Sequence, residues 1–165
     1  MKYLKINGFL LFSFLSGGTM LHAQDKKADA VNTMVSEKNF VFKAQTALPM
    51  GGRTVNLTSE YDVTIRPDSV ISFLPYYGRA YSAPIDPTKG GIQFTSTDFG
   101  YESGKGKKGR WQITVKPRDA HDVQQLNLTV FENGSASLNV TDQNRQSITF
   151  QGYVVEGRPL IKKAF

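Results

Sequence analysis

Apolar and polar positions keep three different rhythms along this chain. The first is a predominantly apolar stretch of ten residues, 6–15, after Lys2 and Lys5 and before a run of small and mixed residues that ends at Ala23. The second is helical. Ala28, Val31, Met34 and Val35 form one apolar stripe, while Lys26, Lys27, Asp29 and Glu37 fall on other faces. This predicts one short amphipathic helix, or an ordered arm, within residues 25–39. From Phe40 onward the period is two, because successive side chains of a strand point to opposite faces.

Phe40, Phe42 and Ala44 share one parity, and the run ends at Pro49-Met50-Gly51-Gly52, a turn signal. Val55, Leu57, Ser59, Tyr61, Val63 and Ile65 then hold one parity against Asn56, Thr58, Glu60, Asp62, Thr64 and Arg66. Residues 70–74 read as a short buried strand. Ile92 and Phe94 begin another, and Phe99 and Tyr101 continue on the opposite parity, which predicts a bulge or break near residues 96–98. Trp111, Ile113 and Val115, then Leu126, Leu128 and Val130, then Ala136, Leu138 and Val140, then Ile148 and Phe150 complete the set. Gly152 extends that last inward face, and a final segment follows at Leu160 and Ile161. Asn133-Gly134 marks a tight hairpin. Eight to ten short antiparallel strands behind one helix predict an all-β fold, a small meander barrel or sandwich of lipocalin-like shape. Closure is favoured because it removes exposed strand edges.

The N-terminal segment changes the compartment. A basic start, an apolar stretch too short for the roughly 20 residues of a membrane span, and a small-residue end read as an export signal cut after Ala23. The expected layout is a signal over 1–23, a helix or arm over 24–39 and a single β domain over 40–165. Without the first 23 residues, 18 basic and 14 acidic residues leave a net charge of +4, short of a nucleic-acid footprint. The chain has no cysteine, which excludes disulfides, thiolate metal sites and a cysteine nucleophile. Beyond the signal His121 is the sole histidine, too few for the common zinc sites. No cofactor and no metal are expected.

The period-two pattern stops at Leu74-Pro75-Tyr76-Tyr77-Gly78-Arg79-Ala80-Tyr81. Tyrosine and arginine are enriched at binding hot spots, being large, amphipathic and able to hydrogen bond. Tyr76, Tyr77, Arg79 and Tyr81 are therefore the candidate ligand-binding residues, within a loop over 75–87. A structural use competes with this one and, from sequence, stands slightly ahead: the tyrosines plug a barrel end and Arg79 closes an internal ion pair. This run, with Gly91-Ile92-Gln93-Phe94, the Asn133-Gly134 turn and Arg145-Gln146-Ser147-Ile148, resembles a family of small secreted Bacteroidetes proteins whose domain has no assigned function. The resemblance implies a Gram-negative envelope or secreted protein and carries over no catalytic residue.

Weaker chemistry lies elsewhere. Lys105, Lys107, Lys108 and Arg110, interleaved with glycines, form a candidate anion-binding turn, although it lacks the ending and the helix of a nucleotide loop. Glu60 and Asp62 share a strand face, which supports an alternative reading as an envelope hydrolase. Asp68-Ser69-Val70 resembles a Bacteroidetes O-glycosylation sequon, at a turn. Phe165 ends the chain as outer-membrane barrels do, but Lys163 and the short strands contradict a membrane barrel. The leading expectation is an exported, soluble, non-enzymatic protein that binds a small amphipathic ligand, a glycan or another envelope protein through residues 75–87. It involves no nucleic acid and no membrane span, and a purely structural envelope subunit is the third reading.

Overall fold

Among the described residues, alternation from Phe40 onward becomes nine antiparallel strands: β1 (Phe40–Pro49), β2 (Val55–Ile65), β3 (Val70–Leu74), β4 (Ile92–Ser96), β5 (Phe99–Lys105), β6 (Trp111–Pro117), β7 (Val123–Val130), β8 (Ser135–Asp142) and β9 (Ile148–Glu156). They follow one helix, α1 (Thr19–Ser36). The computed structural model describes residues 19–81, 90–120 and 122–158, with side chains from Lys26 onward other than that of Lys108. The apolar leader, Pro84 and Pro87, His121, Leu160, Ile161, Lys163 and Phe165 lie outside the described residues.

The hydrogen-bonded order is β4-β3-β2-β1-β9-β8-β7-β6-β5. Its two outer members are consecutive in the chain, with only Thr97 and Asp98 between them. β4 pairs with β3, and β5 pairs with β6. Every pairing is antiparallel, so β4 and β5 must run in the same direction. They are two halves of one long strand that changes neighbour at Thr97-Asp98 and brings the sheet round into a nearly closed barrel. The break expected near residues 96–98 is this junction. Asp119 secures it by accepting the Thr97 and Asp98 amides at 2.9 and 3.2 Å. The Arg118 amide donates to the Asp98 carbonyl at 2.8 Å, and its guanidinium to the Asp98 carboxylate at 2.7 Å.

A ring of this size leaves an interior that side chains alone can fill. Phe40, Phe42, Phe150, Leu74, Ile92, Ile113, Leu126 and Leu138 fill it and are fully buried. One reading of burial needs correction. β3 is not buried throughout: Val70, Ser72 and Leu74 point inward, while Ile71 and Phe73 are exposed. The Ser72 hydroxyl is accommodated inside by donating to the Ile92 carbonyl at 2.8 Å, and Phe73 outside stacks on Tyr61 at 5.7 Å. In β2 the parity holds: Val63 and Ile65 are buried and Val55, Leu57 and Tyr61 pack partly buried against the core, with Ser59 alone exposed, while the register with β1 is irregular. Ala44 faces Tyr61 whereas Thr46 faces Asn56, so residues 57–60 lie opposite Gln45 alone. Gly152 lies beside the same irregularity, where a Cβ would overlap the Lys43 carbonyl.

Helix α1 begins and ends earlier than the residues 25–39 expected. It stops in a Schellman turn: the Asn39 amide donates to the Met34 carbonyl and the Lys38 amide to the Val35 carbonyl, with Lys38 at φ 52°. Val31 and Val35 are buried in the core cluster. The Tyr101 hydroxyl donates to the Val35 carbonyl at 3.1 Å, and the Trp111 indole to Asn32 Oδ1 at 2.9 Å. Burial pushes the Tyr101 phenol up to about 12. The helix thus covers the barrel end where β5, β7 and β9 finish.

The junction carries a pH signature. The Ser96 hydroxyl and the Thr97 and Asp98 amides hold the Asp119 carboxyl down at about 2. In the unfolded chain it titrates near ~4. Its contribution is therefore complete above that pH and is lost as pH falls toward about 2. In denaturant titrations between those limits, the native chain is expected to lose more stability than Asp119→Ala. At neutral pH that variant is expected to exchange the Thr97 and Asp98 amide hydrogens faster.

Candidate functional site

The opposite barrel end is closed by the run after Leu74 and by the turn between β8 and β9. The backbone joins them directly. Ala80 and Arg145 form an antiparallel bridge, the Tyr81 amide donates to the Asn144 carbonyl at 2.8 Å, and the Gln146 amide to the Arg79 carbonyl at 3.1 Å.

Arg145 organises this end. Its side chain is 11% exposed and that of Asp142 is 3% exposed, with Nε and Oδ2 3.4 Å apart. This is a charge contact without hydrogen-bond geometry, since Asp142 Oδ2 is buried and accepts no hydrogen bond. The Asp142 Oδ1 accepts the Asn144 amide at 2.8 Å. Burial pushes the Asp142 carboxyl up, against the Asn144 amide and the Arg145 guanidinium. Nη1 of Arg145 donates to the Gly91 carbonyl at 3.0 Å, and Nη2 lies 3.9 Å from Asp122. The guanidinium also sits over the Tyr76 ring, 5.2 Å from its centroid. One arginine therefore ties the residue before β4, the end of β8 and the tyrosine run together.

The four tyrosine-loop candidates separate into two groups. Tyr76 is half-buried, and its hydroxyl lies 2.9 Å from the Arg79 carbonyl and 3.0 Å from that of Gln146. Burial raises its phenol above the ordinary value. The ring folds back so closely over Gly78 that a Cβ there would overlap the Tyr76 hydroxyl. Tyr77 and Tyr81 are 42% and 73% exposed, and Arg79 is exposed as well. The plug expected of the tyrosines is Tyr76 alone, and the internal ion pair belongs to Arg145, not Arg79. In the sequence Arg145 stands out only within the Arg145-Gln146-Ser147-Ile148 stretch that carries the family resemblance. The one signal available was its position between two inward-facing strands.

The family model for the Domain of unknown function (DUF4251) matches residues 22–154, which takes in both the tyrosine run and Arg145. The chain belongs to this family. A crystal structure of a DUF4251 family protein from Bacteroides eggerthii is similar over 82% of this chain and 91% of that one, at 16% identity and a TM-score of 0.62. That is a likeness of fold. No curated protein matches the chain.

Elsewhere in this DUF4251 domain the other candidates do not converge. Lys105 reaches Asn32 Oδ1 at 3.4 Å and lies over the Trp111 ring, while Arg110 Nε donates to the Lys107 carbonyl at 3.3 Å. The Glu132 side chain occupies the space beside Gly109, so an acid stands among these cations. Glu60 and Asp62 do share a face, but both lean on Lys43, at 3.6 and 2.8 Å, and Glu60 is 92% exposed. The hydrogen bond to Asp62 and the two carboxylate charges raise the Lys43 amine. This is an ion-paired cluster on an open sheet face. The Ser69 hydroxyl donates to Asp68 Oδ1 at 2.9 Å. Among the described residues no group of three or more histidine or carboxylate ligands comes together, and no helix is long and apolar enough to cross a membrane.

Arg145→Met leaves Asp142 buried without its cation, and such a loss costs roughly 3–5 kcal/mol. Chemical denaturation is expected to show that loss, and to show a smaller one when Asp142→Asn accompanies it. Tyr76→Phe is expected to cost about 1 kcal/mol through the lost hydroxyl bond, and Tyr77→Phe nothing measurable.

Proposed function

We propose that this DUF4251 protein is an exported, soluble binding protein of the cell envelope that engages its partner through Tyr77, Arg79 and Tyr81. The observation that carries the reading is the division within the tyrosine run. Tyr76 is held inside by carbonyl oxygens and Arg145, while the neighbouring aromatic and cationic side chains remain exposed on backbone bonded to the 144–146 turn. A surface held in this way loses little conformational entropy when it binds. Its two phenols and one guanidinium suit a glycan, an amphipathic small molecule or a polar protein surface. The basic, apolar and small-residue order of the first 23 residues supports export.

The test uses the purified protein against immobilised neutral and sulfated oligosaccharides and amphipathic peptides. For whichever probe is captured, the combined variant Tyr77→Ala, Arg79→Ala and Tyr81→Ala is expected to weaken binding by more than about 30-fold. Its melting temperature should stay within about 2 °C of the native value, because exposed substitutions cost little. Unchanged capture would overturn the reading, and so would a steep fall in melting temperature.

A further inference from the structure

Helix α1 turns Val31 and Val35 into the barrel end, which lays Lys27, Ala30 and Met34 along one flank of the helix. Facing that flank are Tyr153 and Val155, which are exposed on either side of the buried Val154, and the Asn133-Gly134 turn. Between them runs a groove of about 360 Å³. Ala30 is too short to fill it, and Met34, Tyr153 and Val155 make its walls apolar. Lys27 is the charged residue of the lining. Beyond Met34 a second groove of about 180 Å³ carries the acids Glu37 and Glu156.

The charge order along this flank is therefore a cation at one end, apolar wall in the middle and carboxylates at the far end. We propose that the groove between α1 and β9 binds a free single-chain anionic amphiphile, a fatty-acid-type carboxylate, with its chain against Ala30, Met34, Tyr153 and Val155 and its head on Lys27. The volume lies in the range of small-ligand clefts, which are mostly apolar with a few placed polar groups. A lysine stem can lie along apolar surface while its ammonium meets the carboxylate. Glu37 and Glu156 oppose the reverse orientation. The site stands at the other barrel end from Tyr77, Arg79 and Tyr81 and does not depend on them.

The test is methionine methyl NMR on the purified protein titrated with decanoate below its micelle concentration. Met34 lies in the groove and Met50 in the turn after β1, so the Met34 signal is expected to shift saturably while that of Met50 stays fixed. Decyltrimethylammonium should bind at least about tenfold more weakly, and Lys27→Glu and Lys27→Gln should each weaken decanoate by about tenfold, the scale of a lost charge-assisted hydrogen bond. Ala30→Phe should abolish the shift, with circular dichroism confirming that each variant folds. Equal affinity for both amphiphiles, or decanoate binding indifferent to Lys27, would overturn the proposal. So would binding that emerges only after residues 159–165 are removed, capture of phosphatidylglycerol vesicles without capture of decanoate, or self-association that buries the groove.

Discussion

A ring in which every neighbour is antiparallel must hold an even number of strands, whereas the described residues form nine strand segments. The conflict is resolved at Thr97-Asp98, where one long strand leaves β3 and joins β6. Much of the structure follows from that constraint. The junction cannot use ladder hydrogen bonds on both sides, so side chains supply them, with Asp119 on two amides and Arg118 on Asp98. A ring this narrow is filled by its own side chains. Binding surfaces must then lie outside it, at the rims or on the outer face.

The two rims are closed by different means. One is covered by a helix whose valines enter the core and whose backbone accepts the Tyr101 hydroxyl. The other is closed by a side chain, the Arg145 guanidinium, which contacts Asp142, the Gly91 carbonyl and the Tyr76 ring. That second closure decides what the tyrosine run can do. It holds Tyr76 half-buried against the barrel end and fixes the backbone from which Tyr77, Arg79 and Tyr81 project. Plug and binding surface, which compete as whole-loop readings, are in this geometry adjacent residues of one segment.

The fold was largely legible in the sequence because alternation reports burial locally. Phe40, Phe42, Leu126, Leu128, Leu138 and Phe150 could each be placed inward from their neighbours alone. The misreadings have non-local causes. The irregular register between β1 and β2 arises from pairing between strands, so nothing within residues 55–65 announces it. Ile71 and Phe73 are apolar residues facing outward, and composition alone cannot separate them from core. Lys38, not a glycine, takes the left-handed position that ends α1. The site was legible only in part. A dense tyrosine and arginine cluster marks the segment, but the internal cation comes from Arg145, 69 positions after Tyr76 in the sequence. No local pattern connects the two.

The central claim is that neighbouring tyrosines face opposite ways because Arg145 holds one of them inside. Nitration with tetranitromethane, followed by peptide mapping, measures this directly. Tyr77 and Tyr81 are expected to be modified rapidly and Tyr76 to be protected, with Tyr76 becoming reactive in Arg145→Ala. Modification of Tyr76 as fast as Tyr81 in the native chain would contradict the account.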